Sequence, residues 1–99
     1  MRTMLKVTIP VEAGNAAIKN GTLAQIIGGV LEQIKAEAAY FGATDGLRSG
    51  YIVFDLKSPA DIPSIAEPLF LGLNASVEFL PVMDVADMKA GVAKAASAV

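Results

Sequence analysis

The dipeptide Asp45-Gly46 constrains the fold of this chain more than any other feature of its sequence. It lies between two runs of β-prone residues, 38–44 and 47–57. A two-residue type I′ turn needs positive φ at both central positions, and Asp followed by Gly adopts it readily. The two runs therefore predict a β-hairpin whose register follows by counting from the turn.

The predicted register pairs Tyr40 with Tyr51 and Phe41 with Gly50. The Phe41 ring can then lie over the glycine, while the two tyrosines share the other face of the hairpin. A bulge in either strand would shift this register, so the prediction assumes a regular ladder.

Hydrophobic periodicity predicts the elements that precede the hairpin. Residues 5–11 alternate as a strand, and residues 12–19 form a short helix that ends at Asn20-Gly21. A second helix follows, for which Thr22 is the expected N-cap, with Gln25 completing a capping box. Its Gly28-Gly29 pair lowers helix propensity by about 1 kcal/mol per residue relative to Ala, and close packing is the expected reason for it.

Three further elements are predicted after the hairpin. A helix begins at Ser58 or, because Pro63 also suits a first turn, at Asp61. The last strand contains Pro81, which fits an edge strand and argues against a central one. Asp84 is the expected N-cap of a final amphipathic helix.

The order of the elements predicts one α+β domain, residues 1–99, with a ferredoxin-like β-α-β-β-α-β fold. Its four-stranded antiparallel sheet has the strand order 4-1-3-2, helices cover one face, and an extra C-terminal helix follows. A chain of 99 residues is too short for two separate cores. The order makes the last strand an edge, as Pro81 requires.

Composition excludes several classes of function. The chain has no Cys and no His, so thiolate sites and histidine-based catalysis are impossible, and we expect no metal or nucleotide cofactor. Its eight basic residues are scattered and the net charge is −2, which argues against nucleic-acid binding. The longest uncharged stretch, 20–31, is too short to cross a membrane. The cytoplasm is the default location.

Strand parity predicts an unusually apolar open face on the sheet. An exposed antiparallel face is commonly polar, and leaving an aliphatic side chain wet forfeits roughly 1.5–3 kcal/mol. We therefore expect a second copy of the chain to cover it, sheet against sheet, as a homodimer with a ligand-sized cavity between the sheets. The residues assigned to this face are Lys6, Thr8, Tyr40, Tyr51, Val53, Asp55, Glu78, Leu80 and Val82.

Most of the charged and aromatic residues of this face are candidates for function, and each has a simpler interpretation. Tyr40 and Tyr51 could donate hydrogen bonds to a ligand, or could be a cross-strand aromatic pair. Asp55 and Glu78 could act as general bases with raised pKa, or could be charges at the rim, bound to Lys6 or Arg48. The expected ligand-binding residues are Lys6, Thr8, Tyr40, Tyr51, Val53 and Arg48, with Asp55 and Glu78 as catalytic candidates.

Two candidates lie near the ends of elements. Arg48, close to the hairpin turn, could hold a ligand carboxylate through its two-pronged guanidinium, or could be an exposed arginine or a dimer contact. Asn15 and Asn20-Gly21 could belong to a mobile lid, or could simply mark a helix end.

Several segments resemble a group of small bacterial proteins, without an assigned activity, in the dimeric α/β-barrel superfamily. The resemblance spans most of residues 4–90 and is carried by residues 38–41, 45–48, 50–57, 61–70, 77–79 and 81–83. It implies a homodimer with a ligand-sized cavity. The wider superfamily includes muconolactone isomerases, cofactor-free monooxygenases and haem-degrading relatives, which often use His, Trp or Asn in the cavity, and this chain has neither His nor Trp.

The sequence therefore predicts a small dimeric domain that binds, and could isomerise or otherwise transform, a small, partly apolar organic molecule. The alternative is a structural or regulatory domain whose open face serves only for dimerisation. The expected partners are a second copy and a small organic ligand, without nucleic acid or membrane.

Overall fold

The chain forms four strands and four helices in the computed structural model, which describes residues 1–99. None of the helices combines the length and apolar character needed to cross a membrane. A 3-10 turn, Pro59–Asp61, precedes the third helix. In chain order the elements are β1 (Arg2–Ile9), α1 (Val11–Lys19), α2 (Thr22–Ile34), β2 (Ala38–Thr44), β3 (Leu47–Asp55), α3 (Ile62–Leu73), β4 (Ser76–Pro81) and α4 (Val85–Ser97).

The four strands make one antiparallel sheet in the order β2-β3-β1-β4. This is the predicted order 4-1-3-2, so the α+β class and the sheet topology are confirmed, and the arrangement is compatible with a ferredoxin-like fold. β4 lies at an edge, where the missing N–H of Pro81 does not interrupt a ladder on both sides.

The hairpin of β2 and β3 has the predicted register. Asp45 and Gly46 have φ of 56° and 77°, which are the positive values that the type I′ turn needs. Tyr40 pairs with Tyr51, and Phe41 pairs with Gly50. A Cβ built on Gly50 would lie 3.0 Å from the Phe41 ring, so the ring does lie over the glycine.

The core lies between the sheet and the helices α1, α2 and α3. Along β1, buried and partly exposed side chains alternate strictly, and every second side chain from Thr3 to Ile9 is buried. Phe54 of β3 meets Phe79 of β4 edge to face, with ring centroids 6.4 Å apart. The core side chains are Leu5, Val7, Ile9, Ala17, Val30, Ile52, Phe54, Ile65, Leu69, Leu73 and Ala75.

The start of α2 differs from the prediction. Thr22 is not the N-cap: Gly21 occupies that position at φ 80°, a conformation that favours glycine. The side-chain oxygen of Asn20 accepts hydrogen bonds from both the N–H and the hydroxyl of Thr22, at 3.0 and 2.6 Å. The capping role therefore belongs to a residue before the glycine, and Gln25 has no part in it.

The helices approach closely at a different glycine from the predicted pair. Gly28 and Gly29 face open space, so close packing does not explain them. Gly72 of α3 is the glycine at the contact, since a Cβ there would lie 2.5 Å from Ile26 of α2.

Candidate functional site

The uncovered face of the sheet is ordered in rows that cross all four strands. The register aligns Tyr40, Tyr51, Lys6 and Glu78 in one row. The neighbouring row toward the start of β1 is apolar and consists of Ala38, Val53, Met4 and Leu80. On the other side lies a row of small residues, Gly42, Ser49, Thr8 and Ser76. The open face therefore carries an apolar row beside a row of aromatic and charged residues.

Most of the predicted open-face residues do lie together on this face. Tyr51 is half-buried and its hydroxyl shares a short hydrogen bond with Thr44, whereas Tyr40 is 72% exposed. Glu78 is exposed on the edge strand. None of the three main clefts of the chain is lined by Lys6, Tyr40, Tyr51 or Glu78, whereas Asp55 borders two of them.

Asp55 is a paired charge at the end of β3. Its carboxylate accepts hydrogen bonds from the Met1 amino group at 2.6 Å and from Lys57 at 2.7 Å. The bond from Lys57, followed by that from the amino group, lowers the pKa of Asp55 to about 2. The prediction that its pKa could be raised is wrong for Asp55, because two cations stabilise the ionised form, and a carboxylate with so low a pKa is a weak general base.

This ion pair predicts a pH-dependent contribution to stability. The pKa is lowered from 3.8 to about 2, so the contribution is fully present above pH 3.8 and is lost as the pH falls through about 2. We expect Asp55→Asn to lower the free energy of unfolding at neutral pH, by an amount that vanishes toward the low end of this range. Urea unfolding at a series of pH values measures it.

A second variant tests the cause. In a Lys57→Gln background, Asp55→Asn should have a smaller effect, since one of the two partners is already gone. A difference between wild type and Asp55→Asn that stays constant down to about pH 2 would contradict the assignment.

Arg48 lies on the opposite, helix-covered face of the sheet. Its guanidinium rests on Gly14 of α1, where an added Cβ would come within 2.5 Å of Nη1. Nη2 donates to the Asn15 side-chain oxygen at 3.0 Å, and Nη1 donates to the Val11 carbonyl at 3.4 Å. None of the four ion pairs of the chain includes Arg48, so the side chain is held in place by neutral acceptors and its charge is uncompensated.

Arg48 borders an apolar cleft of about 350 Å³ between α2 and the β2–β3 end of the sheet. The register explains the cleft: Phe41, Gly50 and Val7 are neighbours in one row, and the glycine leaves a depression between two side chains. β2 is an edge strand that α2 does not cover, so Phe41 is 56% exposed despite lying on the helix side. The lining consists of Val7, Ile9, Leu23, Ala24, Ile27, Phe41, Gly42, Arg48, Ser49 and Gly50.

The chemistry of the cleft is that of a binding site. Apolar walls with one oriented cation suit a molecule that has an apolar body and a carboxylate. The lining contains no carboxylate, lysine or tyrosine that could transfer a proton. No group of three or more acidic side chains in the chain is arranged to hold a metal ion.

The sequence points to Arg48, which lines this cleft, and to Asn15, which holds Arg48 from outside it, but not to the other lining residues. The available signal was the strand glycine at Gly50, two residues from Arg48 and therefore on the same face of β3. A glycine opposite an edge-strand aromatic marks a gap in the layer of side chains, but the pairing pattern does not show whether a helix fills that gap.

Comparison with known proteins adds no relative: no protein-family model matches the chain, and no curated protein is significantly similar to it.

Proposed function

We propose that this protein binds a small organic acid with an apolar body in the cleft beside Arg48. The observation that carries the proposal is that Arg48, which forms no ion pair within the chain, is one of the residues lining an apolar cleft of about 350 Å³. Pockets for small molecules begin at roughly this volume and combine apolar walls with few polar groups. The expected occupant is a monocarboxylate whose ring or short alkyl chain packs on Phe41 and Ile27.

The orientation of Arg48 supports the proposal. A flexible cation loses side-chain entropy when it binds an anion, whereas Arg48 is already held by Asn15 and by the Val11 carbonyl. Those bonds use two of the five N–H donors, and the remaining donors can form the paired bonds that a carboxylate accepts.

The test compares acids with their uncharged amides. Phenylacetate and hexanoate are titrated beside phenylacetamide and hexanamide, and binding is followed by backbone amide NMR shifts at Leu23, Ile27 and Gly50. We expect the acids to bind about tenfold or more tightly than the amides, because charge-assisted hydrogen bonds contribute roughly 1.5–3 kcal/mol. Equal affinities, or shifts confined to the open face, would contradict the proposal.

Arg48→Gln should remove the preference for the acid while leaving binding of the amide nearly unchanged. Lys19→Gln is the matched control, because it also deletes one positive charge but lies outside the cleft. If Lys19→Gln weakens acid binding as much as Arg48→Gln does, net charge and not the cleft is responsible.

The open face supports a second proposal, that the chain self-associates as a homodimer. One row of this face is wholly apolar, with Leu80 45% exposed, beside the half-buried ring of Tyr51. A second copy is the simplest cover, because a two-fold axis uses the same surface twice and leaves no open end. A ligand between the sheets, lined by Lys6 and Tyr51, is the form of this proposal that the sequence predicts. A domain that only dimerises is its non-enzymatic form.

A further inference from the structure

Helix α4 carries an apolar stripe that the rest of its own chain leaves uncovered. Val85, Met88 and Val92 follow the i, i+3, i+7 spacing of one helix face and are 64%, 43% and 60% exposed. Lys94 and Asp87 lie on the other side of the helix. Every residue from 83 to 99 is exposed, so α4 packs against no other element.

A helix in this situation needs a partner. Thirteen residues are a marginal length for an isolated helix in water, and most of the stability of such helices comes from packing an apolar face. Capping is already present at the first turn: Asp84 accepts from the Asp87 N–H at 2.8 Å, and the Asp87 side chain accepts from the Asp84 N–H at 3.3 Å. The apolar stripe of α4, however, has no surface within its own chain to pack against.

The link between β4 and α4 directs the helix away from its own sheet. The Val82 N–H donates to the Arg2 carbonyl at 3.1 Å, and the Arg2 guanidinium donates to the Asp84 carboxylate at 3.3 Å. Two of the three linking residues are held in this way, which leaves too little free chain for α4 to return over the open face. The molecule accordingly measures 55 × 28 × 18 Å, with the long dimension far beyond that of a four-stranded sheet.

The apolar row of the open face is long enough to accommodate the stripe. Across four strands spaced about 4.8 Å apart, Ala38, Val53, Met4 and Leu80 span roughly 14 Å. The stripe from Val85 to Val92 rises roughly 10 Å at 1.5 Å per residue, so it fits within this span.

The charges beside the two surfaces are complementary. Glu78 lies next to Leu80 on the same face of β4, and Lys89 borders the stripe on α4. Neither side chain forms an ion pair within the chain. A helix laid along the apolar row can therefore bring Lys89 to the Glu78 carboxylate, which lies opposite Lys6 in its row but forms no ion pair with it.

We propose that two copies exchange α4, so that the stripe of each helix lies on the apolar row of the partner's sheet. The partner is a second copy because each chain has both the stripe and the apolar row. A two-fold exchange then covers both surfaces in both copies. This inference rests on the proposed self-association and specifies that α4, not a bare second sheet, covers the apolar row.

Engineered cysteines test the exchange, and the cysteine-free chain makes the assay specific. Val92→Cys is placed in one chain and Val53→Cys in a second chain of different tagged mass; the chains are mixed under mild oxidation and the mixed disulfide is quantified. Lys94→Cys, on the opposite side of α4, is the matched control for Val92→Cys. Met88→Cys is the second stripe position, should Val92→Cys misfold.

The exchange predicts that the stripe cysteines cross-link to Val53→Cys at least tenfold faster than Lys94→Cys does. A wild-type dimer in which stripe and control positions cross-link equally overturns the exchange but leaves self-association standing. A wild-type protein that sediments as a monomer at micromolar concentration overturns both.

Discussion

Leu69→Ala is expected to destabilise the protein by about 2–5 kcal/mol, the range measured for deleting a fully buried leucine side chain. Leu69 is 0% exposed, at the centre of the core between α3 and the sheet. The loss combines the transfer free energy of the side chain with the cavity that it leaves. Since the total stability of a domain is about 5–15 kcal/mol, this one substitution removes a large part of it.

Leu71→Ala is the matched control, because it makes the same chemical change two residues along the same helix. Leu71 is 85% exposed, so the expected change is within about 0.5 kcal/mol. Helix propensity changes equally in both variants, and the difference between them isolates burial. Urea unfolding followed by circular dichroism measures both, and similar losses would mean that α3 packs on the sheet through another face.

The sheet could be predicted from sequence because its determinants are local. Asp45-Gly46 fixes the hairpin register, and Pro81 excludes a central position for the last strand. The right-handed connection rules then leave one order for the four strands. Each step depends on backbone conformation or strand period, which neighbouring residues encode.

The cleft could not be predicted in this way, because it is a gap in the layer of side chains between the sheet and α2. Parity assigned Phe41 to the helix side, but only the lateral position of α2 leaves its ring exposed above Gly50. Arg48 was recognised as a candidate, yet its position on Gly14 depends on where α1 crosses β3. These placements follow from packing between distant segments.

Capping shows a similar limit at short range. Thr22 and Gln25 have the capping-box spacing, but the glycine before them adopts positive φ and lets Asn20 accept the hydrogen bonds instead. Two capping arrangements were available locally, and the chain adopts the one that depends on the conformational freedom of Gly21. By contrast Asp84 and Asp87 have no such competitor, and the predicted cap is present.

Tyr51→Lys is expected to convert the proposed homodimer into a monomer. Tyr51 lies at the middle of the open face, between Tyr40 and Lys6 in its row and beside the apolar row. A lysine there places a second cation directly opposite Lys6 on the neighbouring strand, and a cover over the face would have to desolvate both charges. The core is on the other side of the sheet, so the fold itself should survive, and sedimentation velocity measures the change.

Tyr51→Phe separates the ring from the hydroxyl. It removes only the hydrogen bond with Thr44, which lies within the chain, and keeps the apolar ring, so the variant should remain a dimer. Because Tyr51→Lys loses the same hydroxyl, any difference between the two variants reports the added charge and the lost ring. If Tyr51→Lys keeps its native circular dichroism and sediments like wild type, then no partner covers this face, and the apolar row is exposed to solvent in the native protein.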